Sequence, residues 1–349
     1  MAQVTARENF MKLLRCETPY YIPYYTMFNE EYKGEAPLKS IRADFFPTTQ
    51  FKDGGTDMWG IPYKGTPEAG GATMPDTTVI LLHDIADWRK VLKFPKMNEY
   101  DWKVKAQKDF EALNADRNQS VIMMGCPGMG MFQSLVGLMG FEGGLCALYT
   151  DPDEVKEMFN AMLEETLLPA IDVMFDNYEF DCFGMGDDTC AKMVPFFSPE
   201  IYEDVFFPVY DRLAKRAQER GMPIDFHNCG RIDEFLPFME KFGVKITNPV
   251  QETNDIPALE KEYKGRMSFA GGWDWDFHMP PEYPEFDEEF IREGVRHSID
   301  TYGKEGNYCF CGGVTGKIGD DAAMKVNMVI RDEIYHYGKK VYDYPIPEE

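Results

Sequence analysis

The chain has 349 residues, of which 44% are hydrophobic, so a disordered protein is excluded and one or two sizeable domains are expected. A formal net charge of −24 repels nucleic-acid phosphates and anionic membranes, which excludes both as expected partners. The start, MAQVTARENF, is too polar for a signal peptide, and no apolar run approaches the ~18 residues of a membrane span. We therefore expect a cytoplasmic protein whose eight cysteines are reduced.

The first 119 residues give weaker patterns than the rest of the chain. Tyr21–Met27 (YIPYYTM) is the best strand candidate there, and the Gly/Pro-rich stretch Phe51–Pro75 is typical of an elaborated loop region. Because no linker or internal repeat interrupts the chain, the sequence predicts one domain over residues 1–349 with an elaborated N-terminal region of about 119 residues.

Beyond residue 119, short apolar runs alternate with amphipathic segments. The runs that predict strands are Ser120–Gly125, Asp181–Gly186, Pro223–His227, Val244–Asn248, Met267–Gly271 and Asn307–Cys311. Helices are predicted to open at Thr150-Asp151-Pro152 and at Ser198-Pro199-Glu200, and to occupy Ile232–Lys241, Glu288–Tyr302 and Asp321–Tyr337. Pro169 is expected to kink or end the first of these helices.

Alternating strands and helices predict a parallel sheet. Six strands after residue 119 and two more from the N-terminal third would close it into a (β/α)8 TIM barrel. The alternative is an open, doubly wound sheet. Such sheets usually carry a GxGxxG or GxxxxGK[ST] phosphate loop, and the sequence has neither motif.

Chemistry-bearing residues gather at the ends of these runs, where a barrel builds its active site. His227 and Cys229 are two apart, so they point the same way from a strand end, and Cys309 and Cys311 form a second such pair on the last strand. His-x-Cys plus one distant Cys supplies three zinc ligands and leaves the fourth position for substrate, as in catalytic zinc sites. The alternative is a core histidine with buried, inert thiols.

Other strand-end residues have candidate roles. Asp187 and Asp188 are adjacent carboxylates, which can raise one pKa and create a general acid, or which can serve as a helix cap or an ion pair. Cys126, Asn248 and Trp273 are candidates for binding substrate. Trp273, with Trp275, is placed to wall an aromatic substrate, although such residues are more often part of a core or rim.

Asp225–Gly230 also fits D-x-H-x-x-G, the pattern by which corrinoid-binding domains ligate cobalt through histidine. That interpretation requires a Rossmann-like domain with a downstream Ser-x-Leu and Gly-Gly. Gly271-Gly272 is present, but no Ser-x-Leu precedes it at a suitable distance.

Four stretches of the chain resemble the uroporphyrinogen decarboxylase superfamily, especially its corrinoid-dependent methyltransferase branch. They are Gly184–Leu213, Ile224–Tyr263, Arg266–Asp274 and, more loosely, Gly125–Leu145. The resemblance covers about residues 120–340 and implies a (β/α)8 barrel. The arginine-rich R-Q-A-G-R-Y motif of the decarboxylase proper is missing, since Arg7, Arg15 and Arg42 are isolated.

The methyltransferase branch implies zinc on His227, Cys229 and a cysteine near the end of the barrel. Cys311 is favoured because it precedes Gly312, and Cys309 is the alternative. The implied activity is transfer of a methyl group from a small methylated substrate to cobalt(I) of a corrinoid on a separate carrier protein. Asp187 or Asp188 would orient the substrate or protonate the leaving group.

An aryl methyl ether is the favoured substrate because of Trp273 and Trp275. The alternatives are a decarboxylase and a corrinoid carrier that uses His227 on cobalt. A homo-oligomer is compatible with the sequence.

Overall fold

The computed structural model describes residues 4–26, 31–48, 54–66, 72–76, 78–128, 130–273, 287–314 and 321–342. A parallel sheet of seven strands forms its centre, in the order β1-β5-β6-β7-β8-β9-β10. These strands are β1 (Leu38–Ile41), β5 (Val121–Gly125), β6 (Cys182–Gly186), β7 (Ile224–His227), β8 (Val244–Val250), β9 (Ser268–Gly272) and β10 (Tyr308–Cys311). The six strands predicted after residue 119 are confirmed.

The eighth position in the barrel is taken by the extended segment around Tyr24. Tyr24 forms a parallel bridge with Phe310 of β10, and the Tyr25 amide donates to the Phe310 carbonyl at 2.8 Å. On the other side, the Thr26 hydroxyl donates to the Leu38 carbonyl of β1. The segment predicted as a strand at Tyr21–Met27 thus lies, up to Thr26, between the first and last strands of the sheet; Met27 is outside the described residues, and β1 was not predicted.

Helices pack around the sheet and against one of its ends. They are α1 (Ala6–Leu14), α2 (Trp88–Val91), α3 (Trp102–Leu113), α4 (Met131–Thr150), α5 (Pro152–Met162), α6 (Leu168–Asn177), α7 (Pro199–Ile201), α8 (Phe207–Gln218), α9 (Leu236–Lys241), α10 (Ile256–Glu262), α11 (Glu288–Tyr302) and α12 (Asp321–Lys340). The helix starts predicted at Pro152, Pro199, Glu288 and Asp321 are confirmed.

Pro169 does not end its helix outright. A π-helical turn at Leu163–Leu167 joins α5 to α6, and Pro169 lies in the first turn of α6. The Leu168 amide donates to the Leu163 carbonyl, five residues back, so the π turn carries the helix up to the proline, which has no N–H of its own. The chain therefore continues helically through the site of the expected break.

The stretch Phe51–Pro75, expected to be a loop, contains a three-stranded antiparallel sheet where it is described. Its strands are β2 (Gly54–Thr56), β3 (Pro62–Thr66) and β4 (Ala72–Pro75). Tyr63 of β3, together with Trp59 and Ile61 of the connection before it, is buried against the core. The glycines and prolines in these short strands hid them in the sequence.

Two apolar regions hold the fold together. The larger lies between sheet and helices, and the smaller fills the barrel interior. In the interior, Phe10, Leu13 and Leu14 of α1 pack with inward-facing strand residues such as Val121 and Ile246. Helix α1 therefore plugs one end of the barrel.

Among the described residues, α4 is the helix whose length and apolar composition would suffice to cross a membrane. Buried helices of globular proteins pass the same test. Phe132, Leu135 and Leu138 of α4 are all buried in the core between sheet and helices. Core packing accounts for its apolar composition.

Candidate metal centre

Strands β6 and β7 bring three metal-binding side chains together at their carboxyl ends. Gly186 pairs with His227 in register, and Asp188 follows two residues after Gly186 while Cys229 follows two after His227. The ligand atoms of Asp188, His227 and Cys229 all lie within 4.8 Å of one another. We call these three residues the Asp–His–Cys cluster.

The two distances from His227 to the other members of the Asp–His–Cys cluster match those of a tetrahedral zinc site. The His227 Nε2 atom is 3.5 Å from the Cys229 Sγ atom and 3.6 Å from the Asp188 Oδ1 atom. Zinc bonds of about 2.0–2.3 Å at tetrahedral angles separate neighbouring ligand atoms by about 3.3–3.7 Å. Imidazole, thiolate and carboxylate are all zinc ligands, so the residues present fit this metal.

The cluster is reachable from solvent. The side chains of His227 and Asp188 are 38% and 36% exposed, respectively. Burial, and after it the neighbouring Asp188 carboxylate, raises the pKa of the Cys229 thiol. A zinc ion beside the thiol would lower this pKa and favour the thiolate, which is the form that binds metal.

The turn that carries Cys229 is fixed on both sides. The Asn228 side chain accepts from the Thr189 amide at 3.0 Å and donates to the Thr189 hydroxyl at 2.8 Å. The Gly230 amide donates to the Gln251 side chain at 2.5 Å. Gly230 has φ +85°, and a Cβ there would collide with the Ala191 carbonyl, so the turn requires glycine.

The orientation of His227 is fixed by contacts with the two neighbouring strands, β8 and β6. Its Nδ1 atom lies 2.9 Å from the Asn248 Oδ1 atom on the neighbouring strand β8. A Cβ on Gly186 would collide with the His227 Cβ atom, so glycine on β6 allows the close approach of His227 on β7. The imidazole is thereby directed with Nε2 towards Cys229 and Asp188.

The two adjacent aspartates have separate environments. Asp187 is fully buried and accepts from the Phe132 and Gln133 amides at the start of α4, at 2.7 and 3.1 Å, and from the Tyr210 hydroxyl. Burial raises its pKa to about 6. Asp188 instead faces the cluster, and its Oδ2 atom accepts from the Gln133 side chain at 2.6 Å.

Cys309 and Cys311, the sequence-predicted third ligands, are fully buried on β10 and face the barrel interior. The Cys309 thiol donates to the Pro23 carbonyl at 3.4 Å. Within the described part of the chain, the group that the structure brings together contains Asp188 in place of either cysteine. The choice of Cys311 as a ligand stays a prediction.

The predicted substrate-binding residues are distributed over the barrel. Cys126 follows β5 and is partly exposed, and burial raises its pKa to about 12. Asn248 lies inside the barrel under His227. Trp273 is buried after β9, with its ring 5.8 Å from that of Phe310, and Trp275 lies outside the described residues. Their roles towards substrate stay predictions.

Sequence reasoning missed a polar network inside the barrel. Asp225 accepts from the Tyr25 hydroxyl at 2.9 Å and from the Asn248 side-chain amide at 2.6 Å. Burial raises the pKa of Asp225 to about 7. The available signal was its position two residues before His227, which places both on the inward face of β7.

A parallel α/β barrel with metal-binding side chains at the carboxyl ends of adjacent strands defines the class of this protein. The family model described as uroporphyrinogen decarboxylase (URO-D) matches residues 85–313, and the chain belongs to that family. The match runs from before β5 to the end of β10, so it includes all three residues of the Asp–His–Cys cluster. A search of curated proteins finds no match.

Solved structures bear on the fold. A methyltransferase from Methanosarcina mazei is similar with a TM-score of 0.59 and 12% identity, over 95% of this chain and 100% of that one. A D-psicose 3-epimerase from Clostridium cellulolyticum H10 has a TM-score of 0.36 and 13% identity, over 70% and 85% of the two chains. An AP endonuclease from Brucella melitensis has a TM-score of 0.34 and 11% identity, over 64% and 81%. The first similarity supports the barrel fold; the other two are too low to define a shared one.

Proposed function

We propose that this protein transfers a methyl group from a small methylated substrate to cobalt(I) of a corrinoid bound to a separate carrier protein. The observation that carries the proposal is the Asp–His–Cys cluster, which gathers donor atoms that suit zinc at the solvent-accessible end of a barrel. A solved structure with the same fold is described as a methyltransferase, and this supports the proposal.

His227 and Cys229 would hold the zinc, with Asp188 as the third ligand. Cys311, which the family resemblance favours, and Cys309 are the rival third ligands. Three protein ligands leave a fourth position for the substrate, as in catalytic zinc sites. When bound, zinc would supply Lewis acidity to the oxygen or sulfur that carries the methyl group.

The chain's own residues prepare the site for this reaction. The Gln133 side chain donates to the Oδ2 atom of Asp188, which fixes the direction of the Oδ1 atom towards the cluster. Cys126, at the end of β5, is placed to line the substrate site, and an aryl methyl ether is the favoured substrate. In the reaction the methyl–oxygen bond breaks, a methyl–cobalt bond forms, and the leaving group keeps the electron pair and takes up a proton.

Asp188, as a zinc ligand, would be deprotonated, and Asp187 is poorly placed to act as an acid, so in this proposal water supplies the proton that the leaving group takes up. The Asp187 carboxylate is occupied by three backbone amides and the Tyr210 hydroxyl, so it has little freedom to reach a leaving group. The carrier and the methylated substrate must both approach from the carboxyl ends of the strands, where Asp188 and His227 are partly exposed. Reduced thiols suit a cytoplasmic location, and none of the eight cysteines is disulfide-bonded.

The name of the family keeps a decarboxylase as the second candidate function. That candidate predicts activity on a carboxylated substrate without metal. The corrinoid-carrier alternative requires a Rossmann-like domain, whereas His227 ends a strand of a parallel barrel.

The test is methyl transfer under anaerobic conditions. The zinc-loaded protein is mixed with a cobalt(I) corrinoid carrier and, separately, with methoxyarenes, methanol, methylamines and methyl thiols. We expect the absorption spectrum to change to that of methyl-cobalt(III) with one class of donor. Absence of conversion with every donor, together with carbon dioxide release from a carboxylated substrate, would establish the decarboxylase instead.

A further inference from the structure

The buried polar network under the Asp–His–Cys cluster has a fixed hydrogen-bonding direction. It consists of Tyr25, Asp225 and Asn248, and we call it the Tyr–Asp–Asn network. Tyr25 comes from the segment that closes the barrel, Asp225 from β7 and Asn248 from β8. All three side chains are buried, so each hydrogen bond forms away from competing water.

The orientation of the Asn248 amide follows from its neighbours. Its Nδ2 atom is 2.6 Å from the Asp225 Oδ1 atom and 3.1 Å from the Tyr25 hydroxyl oxygen. The Tyr25 hydroxyl donates its proton to the other oxygen of Asp225, which leaves a lone pair to accept from Asn248. In this orientation both protons on Nδ2 find acceptors, one on Asp225 and one on the Tyr25 hydroxyl, so Nδ2 faces Asp225.

With Nδ2 so placed, the Asn248 Oδ1 atom faces His227 Nδ1 at 2.9 Å. An amide oxygen only accepts hydrogen bonds, so Nδ1 of His227 must carry the proton. The neutral imidazole then has its lone pair on Nε2, the atom that lies 3.5 Å from the Cys229 Sγ atom. This is the tautomer that a metal at the cluster requires.

From this geometry we infer that Asn248 is a positioning residue, held by Asp225 and Tyr25, that fixes the Nδ1–H tautomer of His227 so that Nε2 binds zinc. The inference rests on the proposed zinc centre. It gives Asn248 a role towards His227 in place of the substrate-binding role predicted from the sequence. It also places Asp225 and His227 of the D-x-H-x-x-G pattern in a zinc centre, whereas the corrinoid-carrier alternative would place His227 on cobalt.

The first test determines the tautomer of His227 in the wild-type protein. Protein labelled with ¹⁵N-histidine, before and after zinc loading, is examined through the two-bond ¹H–¹⁵N couplings of its imidazoles, and His227 is assigned with His227→Ala. We expect His227 to be protonated at Nδ1 in the zinc-free protein and to remain so when zinc binds. Protonation at Nε2 in the zinc-free protein would overturn the inference.

Zinc affinity in matched variants gives the second test, with a competing chelator as the readout. Asn248→Ala should weaken zinc binding by about 10- to 100-fold, the usual effect of removing a partner of a metal-bound histidine. Asp225→Leu should weaken zinc binding by about tenfold, because the Asn248 amide is then free to flip. Asp225→Asn should stay within about threefold of the wild type, since its amide can still accept from Asn248.

The outcomes separate this inference from the zinc centre itself. If His227→Ala does not weaken zinc binding, the proposed centre is wrong and the inference is overturned with it. If His227→Ala weakens binding but Asn248→Ala and Asp225→Leu do not, the centre stands and the positioning role is overturned. Should a variant fail to fold, the tautomer measured in the wild-type protein decides the question.

Discussion

Asp188 and Cys311 are rivals for the third place around the proposed zinc. Asp188 lies in the cluster through its Oδ1 atom, whereas Cys311 is buried on β10 and outside that group within the described residues. The two assignments predict different numbers of zinc–sulfur bonds. One sulfur is expected with Asp188 and two are expected with Cys311.

We expect Asp188→Asn to weaken zinc binding by about tenfold or more, because a neutral amide is a poorer ligand than a carboxylate. Cys311→Ser should keep one zinc per protein, and its matched control is Cys309→Ser. Metal analysis measures the zinc content of each variant, and zinc X-ray absorption counts the zinc–sulfur bonds. Loss of zinc in Cys311→Ser, with retention in Asp188→Asn, would instead support the ligand set implied by the family resemblance.

Glu260 is an acid whose burial makes stability depend on pH. Its side chain on α10 is buried, and burial, followed by the charge of Glu305, raises its pKa from 4.5 to about 9. Between these two pH values the folded protein holds a proton that the unfolded chain has released. The free energy of unfolding therefore falls as pH rises through this window.

Glu260→Gln should remove that decline and raise the free energy of unfolding at pH 9 by about 1 to 3 kcal/mol. Urea unfolding at pH 5, 7 and 9 measures the free energy of unfolding and its slope with pH. Glu262→Gln, at an exposed position on the same helix, is the control and should keep the wild-type slope. An unchanged slope in Glu260→Gln would mean that Glu260 is ionised in the folded protein.

At the scale of single residues, the sequence predicted which strand ends carry chemistry but not which atoms meet. His227 and Cys229 were paired correctly as neighbours because residues two apart on a strand share a direction. Asp188 was predicted as a general acid and not as a metal ligand. Its distance from Cys229 could not be predicted, because it depends on the register of β6 against β7. That register is set by packing between distant segments, which no local pattern encodes.

The start of helix α4 depends on Asp187. Its carboxylate accepts from the amides of Phe132 and Gln133, which have no partner within the helix, and its negative charge is favourable at a helix N-terminus. Asp187 therefore ties α4 to the end of β6. This arrangement also holds Gln133 beside Asp188.

Asp187→Asn should lower the free energy of unfolding by about 1 to 3 kcal/mol, because the amide leaves part of this hydrogen bonding unsatisfied. The more exposed Asp188→Asn is the control and should change it by about 0.5 kcal/mol or less. Chemical denaturation measures both. A fully stable Asp187→Asn that has lost methyl transfer would make Asp187 catalytic rather than structural.

Helix α1 is the second element whose role can be tested alone. Phe10 is fully buried where α1 plugs the barrel, so Phe10→Ala leaves a cavity and should cost about 3 to 5 kcal/mol. Phe290→Ala, at a position that is 58% exposed on α11, is a matched control with a much smaller expected cost. Equal costs in urea unfolding would contradict the plugging role of α1.

Most helices and strands after residue 119 were predictable because their apolar periodicity is strong and their starts carry Ser-Pro, Asp-Pro or acidic residues. The antiparallel sheet β2–β3–β4 was not. Its strands have three to five residues and contain glycine and proline, so they lack the length on which a period can be recognised. Their stability comes from the burial of Trp59, Ile61 and Tyr63 against the barrel.

For the molecule as a whole, alternation of strands and helices was enough to predict a parallel barrel, and the family match bears this out. Closure of the barrel was less predictable, since it depends on the pairing of Tyr24 with Phe310, 286 residues later. The acidic surface follows directly from the net charge of −24. A carrier protein that docks at this surface is expected to present basic or neutral residues.

The central claim is that methyl transfer takes place at the zinc centre of His227 and Cys229. The most direct measurement is the rate of methyl-cobalt formation, under anaerobic conditions, for wild-type protein, Cys229→Ala and protein stripped of zinc and then reloaded. We expect loss of the rate in the variant and in the stripped protein, and its return on reloading the wild type with zinc. An undiminished rate in both the stripped protein and Cys229→Ala would contradict the claim.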